Sequence, residues 1–133
     1  MRKYQLASGK ILEFNLAGTE QALLVYRAVL NSCKNAGLDL TVYPEDQIGD
    51  VILRNKEALL NIMSSEAVME AVKGCCDKVL YDKKHFSMEL FEEEKAREDF
   101  LPVIVIVGME NIRPFFPVLH SFLDAILSLF LRS

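Results

Sequence analysis

The stretch FLPVIVIVGMENIRPFF, residues 100–116, supports two incompatible readings. Its centre, VIVIVG, has the β-branched richness and closing glycine of a buried parallel strand that opens onto a nucleotide site. The residues on both sides are helical. ELFEEEKAREDF before it is rich in strong helix formers, and from Pro114 to Leu131 the residues Phe115, Phe116, Leu119, Phe122, Leu123, Ile126, Leu127 and Phe130 recur at helical spacing. A phosphate cradle would need GxxxxGK[ST] or GxGxxG, and one glycine supplies neither. The stretch therefore reads as a buried helix, with Gly108 allowing close packing. Proline in a helix interior costs about 3 kcal/mol. The expectation is thus a break near Phe100–Leu101, with Pro102 in the first turn of a helix over 102–131 that breaks again near 113.

Working outward, KYQLASGKILEFNL alternates, with Tyr4 and Leu6 sharing one side before the turn and Leu12, Phe14 and Leu16 one side after it. This predicts a β-hairpin over about 3–15, with Gly9 in the turn and its apolar face on a helix. The period then changes to helical. Ala22, Leu23, Tyr26, Val29, Leu30 and Cys33 mark a helix over 20–36, with Thr19 as N-cap and Gly37 past its end. A second helix is expected over 46–63, its apolar set being Ile48, Ile52, Leu59, Leu60 and Met63. A third is expected over 66–80, capped by Ser64 or Ser65 and striped by Val68, Val72, Cys75 or Cys76, and Val79, with Gly74 as a packing point. YDKKHFSM reads as the main loop and holds a short extended segment. A fourth helix covers 91–100, where Glu93 and Glu94 are spaced to pair with Arg97. The expected fold is mainly α (α+β), a single domain over 1–133 in which the hairpin packs on a bundle of five helices.

Composition narrows the function. The chain has 133 residues, a net charge of −4 and 51% hydrophobic residues, with a sequence pI near 5.2 and a mean hydropathy of +0.18. That charge disfavours a phosphate-backbone binder, so no nucleic-acid partner is expected. The high hydropathy suggests apolar surface reserved for a partner. Cys33, Cys75 and Cys76 are odd in number and two are adjacent, which fits a reducing compartment rather than a disulfide framework. MRKYQLASGK has no apolar signal core, and PFFPVLHSFLDAILSLFL is interrupted by His120, Ser121, Asp124 and Ser128, so no membrane span is expected.

Chemistry-bearing patterns are sparse. His85 and His120 stand apart from each other and from any CxxC pair. Cys75 and Cys76 on a helix would point about 100° apart, one into the core and one to its edge. Glu92, Glu93, Glu94, Glu98 and Asp99 read as a solvated helix face beside Lys95 and Arg97. There is no GxSxG, and no Cys/His pair in a catalytic setting. The expectation is a non-enzyme with no catalytic, cofactor-binding or metal-binding residues.

Three stretches resemble the small tail assembly chaperones of long-tailed, siphovirus-type phages and prophages of Gram-positive bacteria. FEEEKAREDF at 91–100 matches Phe-Glu-x3-Ala-Arg-x-Asp-aromatic, ENIRPFF at 110–116 matches Glu-Asn-Ile-x-Pro-Phe, and KYQLASGKILEFN looks like that family's opening hairpin. The order of elements is similar across most of the chain, although 37–64 matches in pattern alone. Pro102 and VIVIV depart from the family, which is more polar there.

The resemblance implies a protein of the bacterial host cytoplasm. It would coat the tape measure protein while tail tube subunits polymerise around it, and would be absent from the mature virion. Its partners would be the tape measure protein and, second, the tail tube protein. Many copies along a long rod imply a homo-oligomer, and many relatives also have a frameshifted, extended form. The residues expected to bind the partner are Phe115, Phe116, Phe122, Leu123, Ile126, Leu127 and Phe130, chosen on periodicity alone, with a core or self-association face as the competing role. The alternative function is a small phage protein that binds and inhibits a host protein.

Overall fold

The computed structural model describes residues 1–34, 36–38 and 43–115. About 58% of it is helical, with five helices and a small four-stranded antiparallel sheet, an α+β fold. In chain order the elements are β1 (Arg2–Gln5), β2 (Ile11–Phe14), α1 (Thr19–Cys33), α2 (Ile48–Arg54), α3 (Lys56–Met63), α4 (Glu66–Lys73), β3 (Val79–Tyr81) and β4 (Lys84–His85). A 3-10 turn (Met88–Phe91), α5 (Glu94–Ile112) and a second 3-10 turn (Arg113–Phe115) complete the described chain. The sheet order is β1-β2-β3-β4.

The hairpin forms as its alternation dictates. Gly9 sits at φ +93°, where its N–H donates to the Leu6 carbonyl at 2.8 Å while the Leu6 N–H donates to that of Lys10 at 2.9 Å. This is a three-residue loop whose last position favours glycine. Leu6, Leu12 and Phe14 are fully buried, so one face of the hairpin lies in the core. Two strands alone would be marginal. The VLY of β3 adds to the other edge of β2, with Leu12 opposite Tyr81 and Phe14 opposite Val79.

That strand corrects the helix expected over 66–80. Ser65 caps α4, its hydroxyl accepting from the Val68 N–H, but the helix stops at Lys73 with Gly74 at its C-cap. A helix carried through 79–81 would lose the ladder to β2, whereas as strand residues Val79 and Tyr81 are both buried in the core. Cys75 and Cys76 consequently lie beyond the helix and are both buried, rather than one in the core and one at its edge. The extended segment expected in YDKKHFSM is Lys84–His85, which pairs with β3.

Other boundaries also move. The helix expected over 46–63 is two helices that meet at Asn55, whose backbone leaves the helical region at φ −101°, ψ 10°. Its buried side chain donates to the Val51 carbonyl at 2.8 Å, so the residue closes α2 instead of continuing it. Ile52 and Met63 are buried as expected, and the Ile48 side chain lies outside what is described. Over 91–100, the helix proper starts at Glu94; Phe91 belongs to the preceding 3-10 turn, which seats its ring against Tyr81, Phe86 and Phe100. Arg97 pairs with Glu92 at 3.6 Å instead of with Glu93 or Glu94. The helix expected over 20–36 runs Thr19–Cys33, with Gly18 rather than Thr19 at the N-cap.

The stretch at 103–107 is helical, but the break expected near Phe100–Leu101 does not occur. Pro102 lies inside a continuous α5. The hydrogen bond that Pro102 cannot make leaves the Glu98 carbonyl without that donor, and this part of α5 is partly solvated: Glu98 and Leu101 are exposed and Pro102 half-buried. Downstream, Val103, Ile104, Val105, Ile106 and Val107 are all fully buried. At roughly 1.5–3 kcal/mol for each such side chain, their burial exceeds the proline penalty of about 3 kcal/mol and the smaller β-branched penalties. The second expected break is observed: α5 ends at Ile112 and a 3-10 turn follows. The rest of the 102–131 expectation, from Phe116 on, lies outside the described residues.

Every residue of α5 from Val103 to Ile112 is buried because the helix is covered on two sides. Gly108 faces the other helices, and a Cβ there would meet Val72 Cγ2 of α4 at 3.0 Å, Met63 Cε of α3 at 3.3 Å and Val25 Cγ1 of α1 at 3.8 Å. Asp99 lies nine residues earlier, about 180° around the helix, and bonds to the sheet side. The architecture is therefore three layers: sheet, α5, then α1 with α3 and α4.

We expect Gly108→Val to lower stability by about 2 kcal/mol or more, since the branched Val72 must move to admit it. Urea denaturation of the two proteins checks this, and an unchanged midpoint would refute the close packing.

Candidate functional site

The polar groups buried among the described residues are concentrated on α5. Asp99, Glu110 and Asn111 are each only 2–3% exposed. Asp99 and Glu110 are eleven residues apart, about three turns or about 16 Å, and so share one helical face. That face meets the sheet. Asp99 Oδ2 accepts from the Tyr81 hydroxyl of β3 and from the Ser8 hydroxyl of the hairpin turn, both at 2.6 Å. Glu110 Oε2 accepts from Arg2 Nε of β1 at 2.8 Å. Arg113 Nη2 lies 2.7 Å from Glu110 Oε1, an ion pair without the alignment of a hydrogen bond. The Tyr4 hydroxyl lies near enough to feel the Glu110 charge. Asn111 Oδ1 accepts from the Ala17 N–H at 2.8 Å and its Nδ2 donates to the Val107 carbonyl, which fixes the chain between β2 and α1.

The spacing of these partners follows the hairpin. β1 runs from Arg2, at the Glu110 end of α5, toward Ser8, at the Asp99 end, so it lies antiparallel to the helix. The six residue steps from Arg2 to Ser8, through β1 and into the turn, span at most about 20 Å, enough to reach across the ~16 Å between the two carboxylates. β2 returns along the same path and delivers Ala17 to Asn111.

Burial and the neighbouring carboxylates act on the phenols of this face. Burial, followed by the Glu110 charge, pushes the Tyr4 hydroxyl up to about 12. Burial and the Asp99 hydrogen bond push the Tyr81 hydroxyl well above its ordinary value. Both phenols stay protonated at neutral pH, and that of Tyr81 is the donor to Asp99. Tyr81 is packed on Phe91, ring centroids 4.7 Å apart, with Lys10 Nζ 5.4 Å from the centre of its ring. Asp99, read from sequence as part of a solvated acidic face, is instead the buried acceptor of this network. Glu92, Glu93, Glu94 and Glu98 are exposed, as expected.

The remaining candidates are dispersed. Burial raises the thiols of Cys75 and Cys76 to about 11 and about 12, which keeps them in the unreactive protonated form. Cys76 Sγ donates to the Val72 carbonyl at 3.3 Å. His85 is exposed on β4. Among the described residues no three His, Cys, Asp or Glu side chains are grouped so as to hold a metal ion, and no helix is long and apolar enough to cross a membrane. Two adjoining open cavities of about 270 and 310 Å³ lie between the end of α1 and α3, sharing Ala36 and Asn61 in their linings.

Of the seven residues expected to bind a partner, Phe115 alone is described. It is 37% exposed and its ring lies 6.1 Å from that of Tyr26 on α1. Phe116, Phe122, Leu123, Ile126, Leu127 and Phe130 lie outside the described residues. On α1, Leu30 was expected in the buried stripe but is 46% exposed, while Val25 is fully buried in its place. In the sequence, the eleven-residue spacing that puts Asp99 and Glu110 on one helical face at either end of an apolar run is the signal for this polar face, masked by the exposed acids beside Asp99.

No protein-family model, curated protein or solved structure matches this chain.

Removing the shared acceptor should harm the fold more than removing either donor. We expect Asp99→Ala to cost about 2–4 kcal/mol, Tyr81→Phe about 1–3, and Ser8→Ala, whose residue is exposed, about 1 or less. Chemical denaturation gives the ranking, and equal losses would dismiss the shared-acceptor arrangement. The raised phenols also set an alkaline limit. A folded-state value above the ordinary one near 10 contributes stability below pH 10 that is lost as pH rises through the folded value. Stability should therefore fall between pH 10 and 12, and Tyr4→Phe should flatten that fall in denaturation curves measured across the range.

Proposed function

We propose that this chain is a non-enzymatic tail assembly chaperone of a long-tailed phage or prophage, which holds the tape measure protein in the host cytoplasm while the tail tube assembles. The observation that carries this reading is the meeting of the three family-like stretches in one structural unit. Asp99 of FEEEKAREDF bonds to Ser8 in the KYQLASGKILEFN hairpin. Glu110 of ENIRPFF bonds to Arg2 just before it, and Asn111 bonds to Ala17 just after it. Phe91, Ala96 and Ile112 of the same motifs are core residues. Residues that would be separate coincidences in a chance resemblance thus depend on one another physically.

The chemistry of the buried carboxylates agrees with a binding role, because their hydrogen bonds serve architecture. A chaperone of a long apolar helix needs an apolar surface that binds reversibly, and residues 115–130 carry the apolar helical spacing for it. The chain would act as a homo-oligomer along the tape measure protein and leave before the virion matures.

Co-expression tests this. A tape measure protein from the same gene neighbourhood should become soluble and co-purify with the chain. Asp at Phe122, Ile126 and Phe130 together should reduce the co-purified amount about tenfold or more, with the circular dichroism of the chain unchanged. No effect of the native chain on the solubility of the tape measure protein would overturn the proposal.

A further inference from the structure

Glu110 joins two parts of the chain that are far apart in sequence, through different oxygens of one carboxylate. Oε2 holds Arg2 in β1 at 2.8 Å, and Oε1 lies 2.7 Å from Arg113 in the turn that follows α5. The Glu110 side chain is only 4% exposed, whereas that of Arg2 is 40% exposed. Its anchor is buried and its hairpin-side arm is within reach of solvent. Arg113 opens the 3-10 turn in which the chain leaves α5, and Phe115 at the end of that turn meets Tyr26 of α1. The Arg113 N–H still bonds back to the Met109 carbonyl.

We infer that Glu110 is a conformational latch, a positioning residue that couples the seating of the N-terminal strand to the direction in which the chain leaves α5. If Arg2 withdraws, the buried carboxylate loses one cation and its charge rests more heavily on Arg113. The turn at 113–115 must adjust, because an under-compensated buried carboxylate is costly. Conversely, moving the turn takes Arg113 away and loads Arg2. An anionic group on a partner that engages the exposed arm of Arg2 would therefore be felt at Phe115 without touching it. The coupling does not depend on what the partner is.

Hydrogen-exchange mass spectrometry on the full chain tests this. In Arg2→Ala, peptides covering 109–115 should exchange at least threefold faster, along with those of β1, while peptides of α1 and α4 keep their native rates. Arg2→Lys, which retains a cation, should restore part of the protection at 109–115. Lys3→Ala alters the neighbouring β1 residue, whose contact is to Glu13 at 4.0 Å, and should leave 109–115 unchanged. Faster exchange confined to β1 in Arg2→Ala would overturn the latch. So would an equal loss throughout α1 and α4, which would mark a general loss of stability. Failure of the tape measure co-expression would leave these exchange results intact, so the two proposals fail separately.

Discussion

Asp99 and Glu110 place two carboxylates on the sheet-facing side of a helix whose last ten residues are buried, and the rest of the structure is arranged to satisfy them. A buried carboxylate without donors is far more costly than the same position filled by an apolar side chain. The hairpin and β3 supply donors, and the turn after α5 supplies the Arg113 cation. The requirement is geometric as well as energetic. Sliding β1 by one residue would turn Arg2 and Tyr4 to the opposite face of the sheet and leave Glu110 without them. Two anchors about three turns apart also define the direction of the hairpin, because Ser8 and Arg2 reach Asp99 and Glu110 only when β1 runs antiparallel to α5.

Double-sided burial gives α5 a second role in explaining the composition. High hydropathy in a chain of this length suggests apolar surface kept for a partner. Part of that surplus is consumed internally, because Val103–Ile112 must be apolar toward the sheet and toward α1, α3 and α4 at once. Gly108 permits the close approach on one side and the carboxylates define the other. Fewer apolar residues are therefore left at the surface than the average suggests; among the described residues Leu24, Leu30, Leu53 and Met88 are exposed.

The hairpin also encloses the two carboxylates of α5. Tyrosines hydrogen-bonded to buried carboxylates can mark proton-transfer sites. Here both phenols are held protonated, chiefly by burial, and the groups around Asp99 are a turn serine and a packed aromatic cluster. Carboxylates so enclosed orient secondary structure.

Local sequence determined the hairpin and its Gly9 turn, the cores of α1 and α4, the Ser65 cap and the helical state of 103–107, because alternation, helical period and turn chemistry act within a few residues. It also determined the scarcity of catalytic patterns. The tertiary structure decided what local preference could not. VLY became a strand because β2 offered an edge, Pro102 stayed inside a helix because the burial beyond it outweighed one lost hydrogen bond, and Asp99 left the solvated acidic series because Ser8 and Tyr81 were brought to it. The reason is the same in each case: period and propensity are short-range and worth tenths of a kcal/mol to a few kcal/mol. Burial and the pairing of buried charge are collective, and depend on residues about 90 positions away, as between Ser8 and Asp99.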